Sequence, residues 1–181
     1  MNLDEKLQSA SPEKYGGNYG QHLLEQYTLY VEMADRISHR RQNANGFGLS
    51  INTAILGIVV LVASRCTPNQ MFTMIAVISV AGMLMSYGWY RLLCSYRDLN
   101  TAKFAVIHAI EKHLPIAPYA AEWLVAGEGK NAKLYKPFSH IELGIPRIFM
   151  LAYLASLLYS VVMLIVQWCM GGAGAPPTIQ P

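Results

Sequence analysis

Three long apolar runs dominate the pattern of hydrophobic and polar positions along the chain. They extend over Phe47–Ser64, Met71–Leu93 and Ile148–Met170. Because about 20 apolar residues of helix cross the hydrocarbon core of a bilayer, each run is long enough to span a membrane. The second run holds no charged residue before Arg91, and the third run holds none at all. The pattern therefore predicts a membrane protein with three transmembrane helices.

A helical period precedes the first run. From Asn18 onward, apolar and small side chains recur at alternating steps of three and four residues, which is typical of a helix that packs one stripe on a partner. The stripe consists of Leu24, Tyr27, Val31, Ala34 and Ser38. We expect a cytoplasmic helix over residues 18–46 that can continue into the first span as one rod. Residues 1–17 are predicted to be flexible.

A second cytoplasmic helix is predicted to continue out of the second span and to end at Pro115. Its stripe consists of Leu93, Tyr96, Asn100, Phe104, Ile107, Ile110 and Leu114. No strand alternation stands out, so the fold class is all-α. The predicted segments are a transmembrane hairpin over 47–93, a cytoplasmic helical segment over 94–147, a third transmembrane helix over 148–170 and a disordered external tail over 171–181.

Lysine and arginine placement predicts the orientation in the membrane, because basic loops stay in the cytoplasm. Five basic residues precede the first span and eight lie from Arg91, near the end of the second span, to Arg147, just before the third, whereas only Arg65 lies between the first two. We therefore expect the N-terminus inside, a tight external hairpin at residues 65–70 and the C-terminus outside.

Composition and motifs narrow the function. Apolar residues make up 53% of the chain and charged residues 14%, against about 25% charged residues in an average domain. A net charge of +3 is too small to indicate duplex DNA binding. Because neither a catalytic motif nor a metal-binding motif can be found, we expect a non-enzymatic protein without cofactor or metal. Cys66 and Cys169 leave two alternatives, a periplasmic disulfide or two unpaired thiols.

Several stretches together resemble the RipA-like small membrane proteins, and more broadly the SLATT effectors, which have two spans. The stretches are LLEQYTLYVEMADRISHRRQNAN (Leu23–Asn45), the following LSINTAIL, SYRDLNTAKFAVIHAIEKHLP (Ser95–Pro115), YAAEW (Tyr119–Trp123) and YKPFSHIELGIPRIF (Tyr135–Phe149). The resemblance implies a homo-oligomer in a bacterial inner membrane. It also implies an anti-phage role beside a nucleotidyltransferase, whose nucleotide or DNA-oligomer signal opens a pore. In the Hailong-type arrangement, single-stranded DNA oligomers control the channel.

Basic residues on the two cytoplasmic helices are candidates for binding such a signal. They are Arg36, Arg40 and Arg41 before the first span, and Arg97 and Lys103 after the second. Guanidinium groups pair with phosphate oxygens in a bidentate manner. The alternative for the three arginines is a membrane-flanking anchor with salt bridges to Glu32, and the alternative for Arg97 and Lys103 is a plain solvated surface.

Polar residues cluster at the inner end of the first span. They are Asn43, Asn45, Ser50, Asn52 and Thr53. Polar side chains in a span usually face protein or water rather than lipid. They are therefore candidates for a pore lining in an oligomer, and interhelical hydrogen bonding is the alternative. The sequence-based hypothesis is a homo-oligomeric channel that senses a nucleotide-type signal, and the runner-up is a non-conducting membrane scaffold.

Overall fold

The computed structural model describes residues 3–130, 135 and 138–171 of the chain. These residues form helices and turns without any strand, which confirms the all-α fold class. The helices are α1 (Leu3–Leu7), α2 (Pro12–Tyr15), α3 (Tyr19–Arg65), α4 (Pro68–Glu111), α5 (Pro118–Val125) and α6 (Phe138–Gly171). Three of them, α3, α4 and α6, are long and apolar enough to cross a membrane. The predicted tail from residue 172 onward lies outside the described residues.

The first long helix joins two predicted segments. α3 runs through Gly46 and Gly48 without a break, so the helix expected over residues 18–46 and the first span form one helix of 47 residues. A two-residue connection, Cys66 and Thr67, leads from α3 to α4. Pro68 occupies the first helical position of α4, where its missing N–H costs nothing, so the chain reverses at the predicted hairpin.

The third long helix begins earlier than the sequence indicates. α6 starts at Phe138 and continues through Pro146, whereas the apolar pattern places the start of the span at Ile148. Proline inside a helix removes the hydrogen bond to the carbonyl four residues before it. The sequence rule therefore favours a helix boundary at Pro146, and the structure instead carries the proline within the helix.

Residues 3–15 also differ from the flexible segment expected there. They form α1 and α2, and two polar contacts tie α1 and the following Gln8 to the two residues after α4. Lys112 Nζ lies 3.0 Å from Asp4 Oδ2, and the Gln8 amide lies 3.0 Å from the imidazole Nε2 of His113. Local propensity alone does not hold helices this short in water, and these contacts across the sequence stabilise α1.

The chain divides into two compact units. The first, the head unit, comprises Met1–Ala44 and Leu92–Glu142, and the second, the span unit, comprises Asn45–Arg91 and Leu143–Pro181. In the head unit, buried apolar side chains from α3 and α4 form the core: Ala34, Ile37, Leu93, Ile107, Ala109 and Ile110. Most of them lie on or beside the predicted stripes, although Leu24 of the first stripe is exposed.

The span unit packs through small residues. Gly82 of α4 lies so close to Tyr153 of α6 that a Cβ atom there would be 2.5 Å from the tyrosine ring. Gly48 of α3 meets the ring of Trp89 in the same way. Small residues allow helix backbones to approach closely in a membrane. Little of the apolar surface is covered by this packing, since only 11% of the most apolar window of α3 is buried.

Candidate functional site

The inward face of α3 in the span unit carries a buried asparagine. Asn52 is 1% exposed, and its Oδ1 accepts a hydrogen bond of 2.8 Å from the hydroxyl of Ser86 on α4. Its Nδ2 donates to the Gly48 carbonyl at 2.8 Å, while the Tyr153 hydroxyl of α6 lies 3.4 Å from its backbone oxygen. One residue therefore connects all three long helices, and its side chain is satisfied within the chain.

The opposite face of α3 is exposed and lined with small or polar residues. Gly46, Ser50, Thr53, Gly57 and Ser64 are all exposed, and at about 100° per residue they fall on one stripe centred about 130° around the helix from Asn52. The hydroxyl of Ser50 donates to the Gly46 carbonyl at 2.9 Å, and that of Thr53 donates to the Leu49 carbonyl at 2.9 Å. We call these five residues the small-polar stripe.

Apolar side chains flank the small-polar stripe on both sides. One flank carries Phe47, Ile58 and Leu61, and the other carries Leu49, Leu56 and Val60; all six are exposed large hydrophobic residues. A helix with this distribution has one face packed within its own chain, two apolar flanks for lipid or neighbouring subunits, and one polar face. Such an arrangement is suited to lining water at the centre of a ring of subunits.

The five candidate pore residues differ in their exposure. Asn43, Ser50 and Thr53 are exposed, Asn45 is half-buried and Asn52 is buried. The Oδ1 atom of Asn45 is buried without a hydrogen-bond partner among the described residues. For Asn52 the contacts correspond to the interhelical alternative, whereas Ser50 and Thr53 have the exposure that a pore lining requires.

The two candidate ligand residues on α4 already have partners. Lys103 is 8% exposed, and its Nζ lies 4.3 Å from the centre of the Tyr30 ring. This is the geometry of a cation–π contact between α4 and α3. Arg97 pairs with its neighbour Asp98 at 2.9 Å. Lys103 therefore has a structural role inside the head unit and presents little of its charge to a ligand.

The three arginines of α3 differ from one another. Arg36 pairs with Glu32 at 3.4 Å on an exposed surface. This is the salt bridge expected if the arginines act as a membrane-flanking anchor. Arg40 is exposed. Arg41 is only 18% exposed and lies 3.3 Å from Glu142, which is 19% exposed, at the start of α6.

An open polar cleft of about 300 Å³ surrounds the Arg41–Glu142 pair. Its other lining residues are Asp35, Ser38, His39 and Gln42. On the sequence alone, Arg41 is a candidate ligand residue and Ser38 belongs to the helical stripe. Glu142 is in neither set, because nothing in the local pattern indicates that it meets α3. The described residues contain no group of three or more metal-ligating side chains, and Cys66, Cys94 and Cys169 are free thiols.

The candidate residues chosen from the sequence also do not include a buried carboxylate at the end of α4. Glu111 is 1% exposed and accepts hydrogen bonds of 2.9 Å from the Tyr27 hydroxyl and from the backbone N–H groups of Tyr119 and Ala120. Those N–H groups belong to the first turn of α5, whose N-cap residue, Ala117, has no side-chain acceptor. Glu111 therefore caps α5 from a distance.

The environment of Glu111 changes the chemistry of Tyr27. Desolvation first, and after it the hydrogen bond to Glu111 and the negative charge of Glu111, together raise the pKa of the Tyr27 phenol to about 12. The phenol thus stays a hydrogen-bond donor. The signal that could have revealed this site is an acid beside the apolar positions Ile107 and Ile110, followed by two prolines, of which the second begins α5.

A family model described as the octameric membrane protein family (8xMP) matches residues 24–162, a range that includes the Arg41–Glu142 cleft, Glu111 and the small-polar stripe. No curated protein and no solved structure gives a match to the chain.

Proposed function

The chain belongs to the octameric membrane protein family (8xMP), and from this premise we propose that it forms a homo-oligomeric ion channel in the bacterial inner membrane. It is an oligomeric membrane protein, and the proposal adds a subunit number of eight, a central water-filled path and a signal that controls it. The chain acts without catalysis, with its N-terminus inside and its C-terminus outside.

The small-polar stripe of α3 supports the pore. Between Gly46 and Gly57 it extends for about 16 Å along the helix axis, roughly half of a hydrocarbon core. Ser50 and Thr53 lie within it, about 160° and about 100° around the helix from Asn52, which packs on α4 and α6. Three helices of one chain cannot enclose a water path, but eight copies of α3 around an axis would turn this stripe toward the centre.

The apolar flanks support the ring of subunits. Exposed flank residues, such as Phe47 and Val60, would contact the adjacent copy or lipid. Burying apolar area between subunits replaces contact with lipid by close packing, which is how helices associate in bilayers. The outer surfaces of α4 and α6, with Leu84 and Leu151 exposed, would then face lipid.

The proposed signal is a nucleotide or a single-stranded DNA oligomer, as the resemblance to Hailong-type channel effectors implies, and the proposed role is anti-phage defence. The exposed Arg40 of α3, together with Arg36 and Arg41, supplies guanidinium groups suited to phosphate. Because α3 runs from these arginines into the span as one helix, displacement of its first half on binding would move the small-polar stripe.

Cysteine accessibility tests the pore directly. In a background without the three native cysteines, Ser50→Cys and Thr53→Cys are expected to react with a charged methanethiosulfonate reagent and to lose current in planar bilayers. The matched controls, Leu56→Cys and Ile58→Cys, lie on the flanks and are expected to stay unmodified. Reaction on the flanks but not on the stripe would place water elsewhere, and the absence of any current would favour the non-conducting scaffold.

Binding of an oligonucleotide tests the signal. Labelled oligothymidylate is expected to bind the detergent-purified protein, and Arg40→Glu is expected to weaken that binding by about tenfold or more, since it reverses one phosphate-pairing charge. Lys14→Glu makes the same charge change on an exposed residue of α2 and serves as the control. Equal binding by wild type and Arg40→Glu would exclude that arginine.

A further inference from the structure

The Arg41–Glu142 pair is close enough for charge attraction but lacks a hydrogen bond. Arg41 Nε lies 3.3 Å from Glu142 Oε2, whereas charge-assisted hydrogen bonds measure about 2.7–2.9 Å. The Nε atom is buried without a hydrogen-bond partner among the described residues. A guanidinium that is largely removed from water and incompletely paired is costly, so a better acceptor can compete for it.

The cleft around the pair carries the groups that a phosphate needs. Ser38 offers a hydroxyl whose bond to the Ala34 carbonyl is long, at 3.4 Å, and Gln42 offers an amide. His39 lies 3.6 Å from Asp35 at the exposed side of the cleft. Arg41 can present two parallel N–H donors to phosphate oxygens. A phosphate that pairs with the Nε side of the guanidinium would occupy the position of the Glu142 carboxylate, whose Oε2 lies 3.3 Å from that nitrogen, and would therefore replace it.

Glu142 also occupies a weak point of α6. In an α-helix its carbonyl would accept the N–H of residue 146, but Pro146 has no N–H to give. Proline positions are where helices bend. The side chain that binds Arg41 and the carbonyl that lacks its helical bond therefore belong to the same residue, immediately before the third span.

We propose that the Arg41–Glu142 pair is a latch that holds the start of α6 against α3, and that a phosphate group of the nucleotide or oligonucleotide signal opens it by displacing Glu142 from Arg41. This inference rests on the proposed function for the source of the phosphate. Glu142 acts as a built-in competitor, and its release frees α6 to bend at Pro146.

Hydrogen exchange of the full-length protein in nanodiscs tests the latch without measuring current. With inorganic phosphate or oligothymidylate, amides of residues 141–150 in the wild type are expected to exchange about tenfold faster than in chloride at equal ionic strength. Glu142→Gln and Arg41→Gln are both expected to exchange fast without phosphate. Lys14→Gln is the control and should respond as the wild type does.

Phosphate binding separates the two variants. Measured by ³¹P NMR, Glu142→Gln is expected to bind inorganic phosphate more tightly than the wild type, whereas Arg41→Gln is expected not to bind it. Arg41→Lys, which keeps the charge but not the planar guanidinium, should keep the latch closed and bind phosphate weakly. The latch is refuted if phosphate leaves wild-type exchange unchanged or if Arg41→Gln still responds.

Nanodiscs of two different lipids show whether the phosphate comes from the signal or from a lipid headgroup. Nanodiscs of phosphatidylglycerol and of phosphatidylcholine are expected to give the same exchange at residues 141–150, and opening by phosphatidylglycerol alone would overturn the signal assignment. The latch and the channel can also fail separately. If the protein conducts but shows no phosphate-dependent exchange, only the latch is refuted. If it shows the exchange but never conducts, only the channel is refuted.

Discussion

Replacing Glu111 by glutamine removes one acceptor from the buried junction of α3, α4 and α5. Oε1 accepts from the Tyr27 hydroxyl and from the Tyr119 N–H, and Oε2 accepts from the Ala120 N–H. A glutamine carbonyl can keep the first two partners. Its NH₂ group would then face the Ala120 N–H, so that two donors meet and the first turn of α5 loses part of its cap.

The expected loss in the free energy of unfolding follows from these contacts. Hydrogen bonds to a charged acceptor contribute about 1.5–3 kcal/mol each, and a buried donor left unpaired costs about 1–3 kcal/mol. One bond is lost, one N–H is orphaned and two bonds change from charged to neutral. Since these contributions overlap, we expect Glu111→Gln to destabilise the protein by about 3 kcal/mol in total.

Thermal unfolding in detergent, followed by circular dichroism, measures the effect. A chain of this size loses about 2–4 °C of melting temperature per kcal/mol, and Glu111→Gln should therefore melt roughly 6–12 °C below the wild type. Glu122→Gln makes the same chemical change on an exposed position of α5 and should stay within about 0.5 kcal/mol. If the two variants melt together, the carboxylate does not hold α5 in place.

Two further predictions concern packing and pH. Gly82→Ala places a Cβ 2.5 Å from the Tyr153 ring and should destabilise the protein by about 1–3 kcal/mol; Gly88→Ala on the same helix meets nothing within 4 Å, and equal melting of the two would contradict the close contact. Tyr27, whose pKa is raised from 10.0 to about 12, should contribute its full stabilisation below pH 10 and lose it as pH rises through about 12. A melting series over this range should be flatter for Tyr27→Phe, and parallel curves would refute the assignment.

The membrane-spanning helices could be predicted from the sequence because span length is set by the solvent. Any run of about 20 apolar residues satisfies the bilayer whatever it packs against, so the positions of α3, α4 and α6 required no knowledge of partners. The core of the head unit was accessible for a similar reason. Ile107 and Ile110 repeat with the helical period, and periodic burial is a local property of one helix.

The polar contacts could not be predicted in the same way, because each depends on a residue distant in the sequence. Asn52 is satisfied by Ser86 and Glu142 meets Arg41, and no spacing rule links positions so far apart. The sequence pattern makes Asn52 and Ser50 equal candidates for a pore lining, although the two lie on opposite faces of α3. A hydrophobic pattern separates buried from exposed apolar residues, but it does not say which polar residue in a span has found a partner.

The glycines of α3 strengthen the argument for an assembly more than its hydroxyls do. Ser50 and Thr53 bond to their own helix, so lipid would tolerate them without any water path. Gly46 and Gly57 have no such explanation. A Cβ at either position would meet nothing within 4 Å, and glycine in a helix interior costs about 1 kcal/mol relative to alanine. No contact among residues 3–130, 135 and 138–171 compensates for that cost, whereas close approach of neighbouring copies, or a wider path between them, would make the missing side chains useful.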